Sequence, residues 1–312
     1  MAREALGQGL TARRRTRALQ PPVALPLPLP RIQRSSRRIE LGEFPIEPHT
    51  PVVGFATGLV MNSTAASRNR TSRSARLTPD LVALIARKLE DRGPAPGVVV
   101  HTEDDYEVSL QAFLAANAWQ EGQDVWVFGY GSLLWKPSFE SVEQVSALLS
   151  GWHRGFCIRI TRFRGTPEEP GLMMSLMPGG SCRGTLFRVA GDRVVDDLRK
   201  LWRREMTVKP PNTPPRWLQA NTAQGSVPGI VFAADCHGPN YVSGLSDDDI
   251  ADILCRAAGH WGSGAEYLME TVDQLERLDI RDANLWRLQK RVAEKLMALQ
   301  SGTPFDREHG NS

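Results

Sequence analysis

The sequence predicts an α+β fold, in which an antiparallel sheet that curls on itself is followed by packed helices. Three observations lead there. Val125-Trp126-Val127-Phe128 is apolar, β-branched and aromatic, and it ends abruptly in Gly129-Tyr130-Gly131-Ser132; that reads as a buried strand delivering a tight glycine loop. Between residues 151 and 189, short β-prone segments alternate with Gly/Pro turns. From Ser246 to Leu299, three apolar stripes recur at helical spacing. Strands that precede a run of helices fit α+β better than a doubly wound sheet.

In chain order, Thr78-Pro79-Asp80 reads as an N-cap with Pro at the first helical position. Leu81, Leu84, Ile85 and Leu89 follow at helical spacing, and Asp91-Arg92-Gly93-Pro94 stops the helix. A second, weaker helix is expected over Tyr106 to Trp119. After the glycine loop, Val145 to Leu149 is mostly apolar, and Gly151-Trp152-His153-Arg154-Gly155 reads as a turn into another strand. Arg164 to Gly171 is a loop by its Gly and Pro content. Leu172 to Met177 is a strand, and Pro178-Gly179-Gly180-Ser181 looks like a hairpin connection into Cys182–Val189. Asp192 to Glu205 is helical, with Val194, Val195, Leu198, Leu201 and Trp202 on one face and Glu205 at its end. Lys209 to Pro215 is forced into an extended excursion by its prolines, and Pro228 to Asp235 is a further strand. Of the closing helices, the first has a Ser246/Asp249 capping box and the last is capped by Asp282.

Charge divides the chain. Residues 1–76 carry 13 Arg against 4 Glu, an excess of +9, while the remainder carries 25 basic against 31 acidic residues, or −6. With its Leu-Pro alternation and Ser/Asn/Arg-rich stretch, this arm is expected to be disordered. Three readings fit it: a basic tail touching nucleic acid, membrane or a partner; an organelle-targeting peptide; or an extension from too early a start codon, with Met61 as a later start. The expected organisation is therefore an arm over 1–76, a short helical extension over 77–123, the main domain over 124–300 and a flexible tail over 301–312. Cys157, Cys182, Cys236 and Cys255 have no paired spacing, as in a reduced, cytoplasmic chain. No run of about 18 apolar residues is present to span a membrane.

Several chemistries are excluded by pattern. Leu134 stands where a dinucleotide fingerprint needs its third glycine, and neither a P-loop nor a G-x-S-x-G elbow occurs. Ser132 lacks an evident His and acid partner, and His153, His237 and His260 are scattered. Taken alone, Gly129-Tyr130-Gly131-Ser132 reads more readily as a structural turn, and Glu205 as a salt-bridged acid beside Arg203 and Arg204.

A resemblance changes that balance. Trp126-Val127-Phe128-Gly129-Tyr130-Gly131-Ser132-Leu133-Leu134-Trp135 resembles the opening signature of the ChaC-type, glutathione-specific γ-glutamylcyclotransferases. Arg164-Gly165-Thr166-Pro167 with Pro170-Gly171, Gly180-Ser181-Cys182-Arg183-Gly184, Trp202-Arg203-Arg204-Glu205-Met206 and Ala265-Glu266-Tyr267-Leu268 are similar to later segments of that family, in the same order over about residues 124–297. Met206-Thr207-Val208 departs from relatives that place Gly-Gly-Tyr after the glutamate. The resemblance implies a small mixed β-barrel with helices packed outside. It also implies conversion of glutathione to 5-oxoproline and cysteinylglycine, without metal or organic cofactor. Tyr130, Gly131, Ser132 and Leu133 correspond to the loop that holds the γ-glutamyl group, and Glu205 to the general acid/base. Arg164 and Tyr267 are secondary substrate-binding candidates. In this frame Ser132 changes from suspected nucleophile to hydrogen-bond donor. Two alternatives remain: a cyclotransferase for other γ-glutamyl amines or dipeptides, and a non-catalytic binding or regulatory protein that uses the basic arm.

Overall fold

In the computed structural model, which describes residues 75–302, five strands close into a barrel in the order β1-β3-β2-β4-β5. They are β1 (Val125–Gly129), β2 (Glu143–Ile160), β3 (Gly171–Val189), β4 (Pro215–Thr222) and β5 (Gly225–Phe232). All neighbours pair antiparallel except β1 and β5, which meet parallel at Val127 and Ile230. The barrel is therefore mixed, and closure removes the sheet edges that an open sheet exposes. The arm up to residue 74 and the tail from residue 303 lie outside the described residues.

Two expectations about strands are corrected. Pro178–Ser181 does not turn the chain back on itself; β3 continues through it, and both halves pair with the single long strand β2. Gly151 sits opposite, where the register shifts between Ser150 and Trp152. Gly151, Gly179 and Gly180 all have left-handed φ, at +83°, +98° and +68°. These glycines bend the two-stranded ribbon through a bulge, so it can curve into a barrel wall without a break. The actual reversal lies in the loop from Arg164 toward Gly171, as its composition predicts. The second correction is β4, which follows the proline excursion. Its Arg216–Thr222 segment has no clear alternation, and its pairing with β5 supplies the strand.

The helices follow their caps more closely. Helix α1 (Pro79–Ala83) starts at Thr78 as expected but ends early. The N–H groups of Leu84, Ile85 and Ala86 reach back only three residues, so the last turn tightens and Leu84 swings to the surface. Helix α2 is Glu103–Ala116, started by a Thr102/Asp105 capping box. Helix α3 (Val194–Glu205) buries Val194, Leu198, Leu201 and Trp202 completely. Trp202 packs edge-on against Phe232 of β5 and Phe113 of α2, and its indole N–H donates to Ser109 Oγ at 3.3 Å. Helices α4 (Asp247–Arg256), α5 (Gly264–Arg277) and α6 (Ala283–Gln300) close the chain with N-caps Ser246, Ser263 and Asp282. Cys157, Cys182 and Cys255 are buried free thiols, and Cys236 is a free thiol half-buried. Among the described residues, no helix is long and apolar enough to cross a membrane.

Candidate active site

Strand β1 is central to the site because β3 and β5 flank it and its Val127 and Phe128 are buried. It delivers Tyr130 into the interior, where the hydroxyl donates to the Phe232 carbonyl at 2.8 Å and lies 3.5 Å from Ser175 Oγ. Burial pushes the Tyr130 phenol well above its ordinary value, and the nearby Glu205 carboxylate adds to the shift. A 3₁₀ turn over Ser132–Leu134 follows, closed by the Leu134 N–H on the Gly131 carbonyl at 2.8 Å. A side chain at Gly131 would crowd two site residues. A Cβ there would lie 2.9 Å from Met174 Cε and 3.0 Å from the Tyr267 hydroxyl. Leu133 is buried with its side chain in the core, so only its backbone can face a ligand.

Glu205 reaches the same place from α3. The helix stripe fixes α3 on the barrel through Leu198, Leu201 and Trp202, and the helix ends at Glu205 beside the loop. The Glu205 side chain keeps 20% exposure, so it is not sealed from solvent. Protein nevertheless surrounds the carboxyl, and this loss of solvation raises its pKa; Arg204 opposes the rise. Arg204 Nε lies 3.2 Å from Glu205 Oε1, and its Nη2 donates to Ser132 Oγ at 2.7 Å. Its Nη1 donates to the Lys136 carbonyl. Arg203, one residue earlier, turns outward to Glu103 of α2. The structure thus brings Glu205 and Ser132 onto one guanidinium across 73 residues of sequence.

Tyr267 enters from the first turn of α5. Its ring packs on Trp135 and edge-on to Phe156, at centroid distances of 5.6 and 6.1 Å. Burial pushes its phenol up to about 12; Arg164 opposes this, Glu205 reinforces it, and the Ser132 N–H hydrogen-bonds its oxygen. Tyr130, Tyr267, Ser132 and Glu205 therefore share one enclosure. Arg164 borders it, with its guanidinium 5.2 Å from the Tyr267 ring centroid. Its donors serve the Ser263 carbonyl at 2.9 Å and Glu266 at 3.0 Å, with Glu270 at 3.4 Å, so it anchors the start of α5.

Sequence reading missed Arg154. It is 4% exposed. Its Nε donates to the Tyr130 carbonyl at 2.6 Å, its Nη1 to Asp282 at 3.1 Å and its Nη2 to the Arg183 carbonyl. One signal was available: Arg154 and Phe156 stand two residues apart on one buried face of β2, and a charge on such a face needs a partner. His153 faces the Gly179 carbonyl, and His260 packs at a tilt beside Phe163.

The sequence model of the ChaC-like family matches residues 125–295, more than half of the chain and every residue of the site just described. The chain belongs to the ChaC-like family. The glutathione-specific γ-glutamylcyclotransferase of Escherichia coli (strain K12) is 39% identical to this ChaC-like chain over 178 residues, which span 57% of it and 75% of the relative. Gamma-glutamylcyclotransferase 2-3 of Arabidopsis thaliana is 29% identical over 175 residues, spanning 54% and 88%. A crystal structure of a yeast γ-glutamyl cyclotransferase specific to glutathione matches with a TM-score of 0.51 at 18% identity, covering 60% of the ChaC-like chain and 99% of that one. At that identity the structural likeness concerns the fold, and the barrel with outer helices is the shared feature.

Proposed function

We propose that this chain is a γ-glutamylcyclotransferase that converts glutathione to 5-oxoproline and cysteinylglycine, with Glu205 as general acid/base. The observation that carries the reading is the meeting of a desolvated glutamate with the Tyr130–Leu133 loop on one guanidinium. In the reaction, the substrate's α-amine attacks its own γ-amide carbonyl. A C–N bond closes the five-membered lactam, and the C–N bond to cysteine breaks. Both reacting groups belong to one molecule, so holding the folded conformer supplies much of the acceleration, with about 7–11 kcal/mol as the upper range. No enzymic nucleophile is needed.

The α-amine, which titrates near about 8, arrives mostly protonated. Glu205 takes a proton from it and returns one to the departing cysteinyl amine. The N–H groups of Gly131 and Leu133 serve the γ-glutamyl carboxylate or the developing oxyanion. Tyr130 and Tyr267 stay protonated throughout the neutral range, so they act as donors and walls rather than as bases. Arg164 borders the ligand as a second-rank contact. A cytoplasmic location belongs to the same reading and is supported by the four free thiols.

The decisive assay incubates purified protein with glutathione and, separately, with γ-glutamyl-alanine, and measures 5-oxoproline. Release from glutathione is expected; release from γ-glutamyl-alanine alone would transfer the assignment to the broader cyclotransferase class. The pH profile gives a second check. Burial raises Glu205, so the carboxylate form is lost as pH falls through a value above the ordinary 4.5, and kcat/KM drops on that limb. A limb at or below 4.5 would remove Glu205 from the base role. Deleting residues 1–74 is expected to leave turnover unchanged, whereas a protein working through its basic arm would lose its activity with that segment.

A further inference from the structure

We propose that Arg204 is the positioning residue of this site: its guanidinium holds the Ser132 hydroxyl and the Glu205 carboxylate in one frame and makes Ser132 a donor toward substrate. The inference rests on the reading of Glu205 as the base. All three Arg204 nitrogens are engaged, each by a different piece of chain: Nε by Glu205 of α3, Nη2 by Ser132 of the 3₁₀ turn, and Nη1 by the carbonyl of Lys136 just beyond it. A guanidinium can only donate, so Ser132 Oγ must accept from it. The Ser132 O–H is then left to point at an incoming acceptor, such as a carboxylate or carbonyl oxygen. The planar fork also sets the spacing between Glu205 and the loop, which two independently mobile side chains could not hold.

The charge of Arg204 has a separate effect. Three ionisable groups face Glu205: Arg204 from α3, Tyr130 from the end of β1 and Tyr267 from α5. Both tyrosines are neutral. Arg164 lies over Tyr267 but is paired with Glu266 and Glu270. Arg204 is thus the cation in direct contact with Glu205, and it favours the ionised form that accepts a proton.

Arg204→Met and Arg204→Lys separate these two effects. The measurement is kcat/KM against pH for release of 5-oxoproline from whichever γ-glutamyl compound the wild-type protein turns over. In Arg204→Met, the acid limb is expected to move up by about one pH unit, and the plateau to fall about tenfold or more as the frame is lost. In Arg204→Lys, the limb stays within a few tenths of wild type because the cation remains, yet the plateau still falls several-fold because an ammonium cannot fork. An unmoved acid limb in Arg204→Met, or a wild-type plateau in Arg204→Lys, overturns the inference. If Arg204→Met does not fold, the Lys variant decides alone by its plateau. A wild-type protein inactive on every γ-glutamyl compound overturns the underlying assignment instead, so the two failures are distinct.

Discussion

Glu205→Gln is expected to lower kcat/KM for the γ-glutamyl substrate by about 10²- to 10⁴-fold, the range for losing one positioned general acid/base. The substitution keeps the shape of the side chain. Its amide oxygen can still lie beside Arg204 Nε, where Glu205 Oε1 sits at 3.2 Å, and Arg204 retains Ser132 and the Lys136 carbonyl. What disappears is a group able to take a proton. The stability effect has the opposite sign. A carboxyl whose pKa is raised by folding is destabilising in its charged form, and that cost grows as pH rises from the unfolded value through the folded one. Glutamine carries no such cost. The variant should therefore melt no lower than wild type at pH 7, with any difference closing as pH falls toward 4. Thermal melts and 5-oxoproline assays on the same preparation test both halves. Turnover near the wild-type rate would end the proposed role, and a large fall in melting temperature would recast Glu205 as a structural acid.

The largest stability loss is expected at Arg154. Replacing it by Met fills most of its volume but removes the donors to the Tyr130 carbonyl, the Arg183 carbonyl and Asp282. Asp282, whose side chain is 16% exposed, is left without its partner. Breaking a buried ion pair from one side costs about 3–5 kcal/mol, a fifth or more of a total stability of about 5–15 kcal/mol. For a body of this size that corresponds to a melting temperature lower by roughly 10 °C. Urea midpoints measure it directly, and a loss below about 1 kcal/mol would show the network to be dispensable. Because Arg154 tethers the carbonyl of Tyr130, the surviving folded fraction should also bind substrate more weakly. Arg154→Lys, which keeps the charge without the fork, should fall between wild type and Met.

These two residues mark the limits of sequence reading. The place of Glu205 at a helix end was legible because the α3 stripe is local: Leu198, Leu201 and Trp202 repeat at helical spacing and place that end without reference to other elements, whereas its acid/base role came only from the resemblance. The caps at Thr78, Ser246 and Asp282 were legible for the same reason, since each serves N–H groups within three residues. Arg154 was obscured because its partners lie 24, 29 and 128 residues away. Arg203 and Arg204 were likewise indistinguishable in sequence; only the docking of α2 on one side and the 3₁₀ turn on the other sends one to Glu103 and the other to Ser132.

The sequence by itself determined the α+β class, the glycine loop after β1, the starts of the described helices with clear caps, and the place of Glu205 at a helix end. Each depends on periodicity, capping or turn chemistry within a few residues. Tertiary structure decided that β2 and β3 are two long strands bent at Gly151, Gly179 and Gly180, that Arg216–Thr222 is a strand, and that Arg204 joins Glu205 to Ser132. Those features depend on which distant strand or helix supplies the partner. Barrel closure makes that choice when it brings β1, β5 and the end of α3 together, because hydrogen bonds and charges are satisfied by proximity in space rather than along the chain.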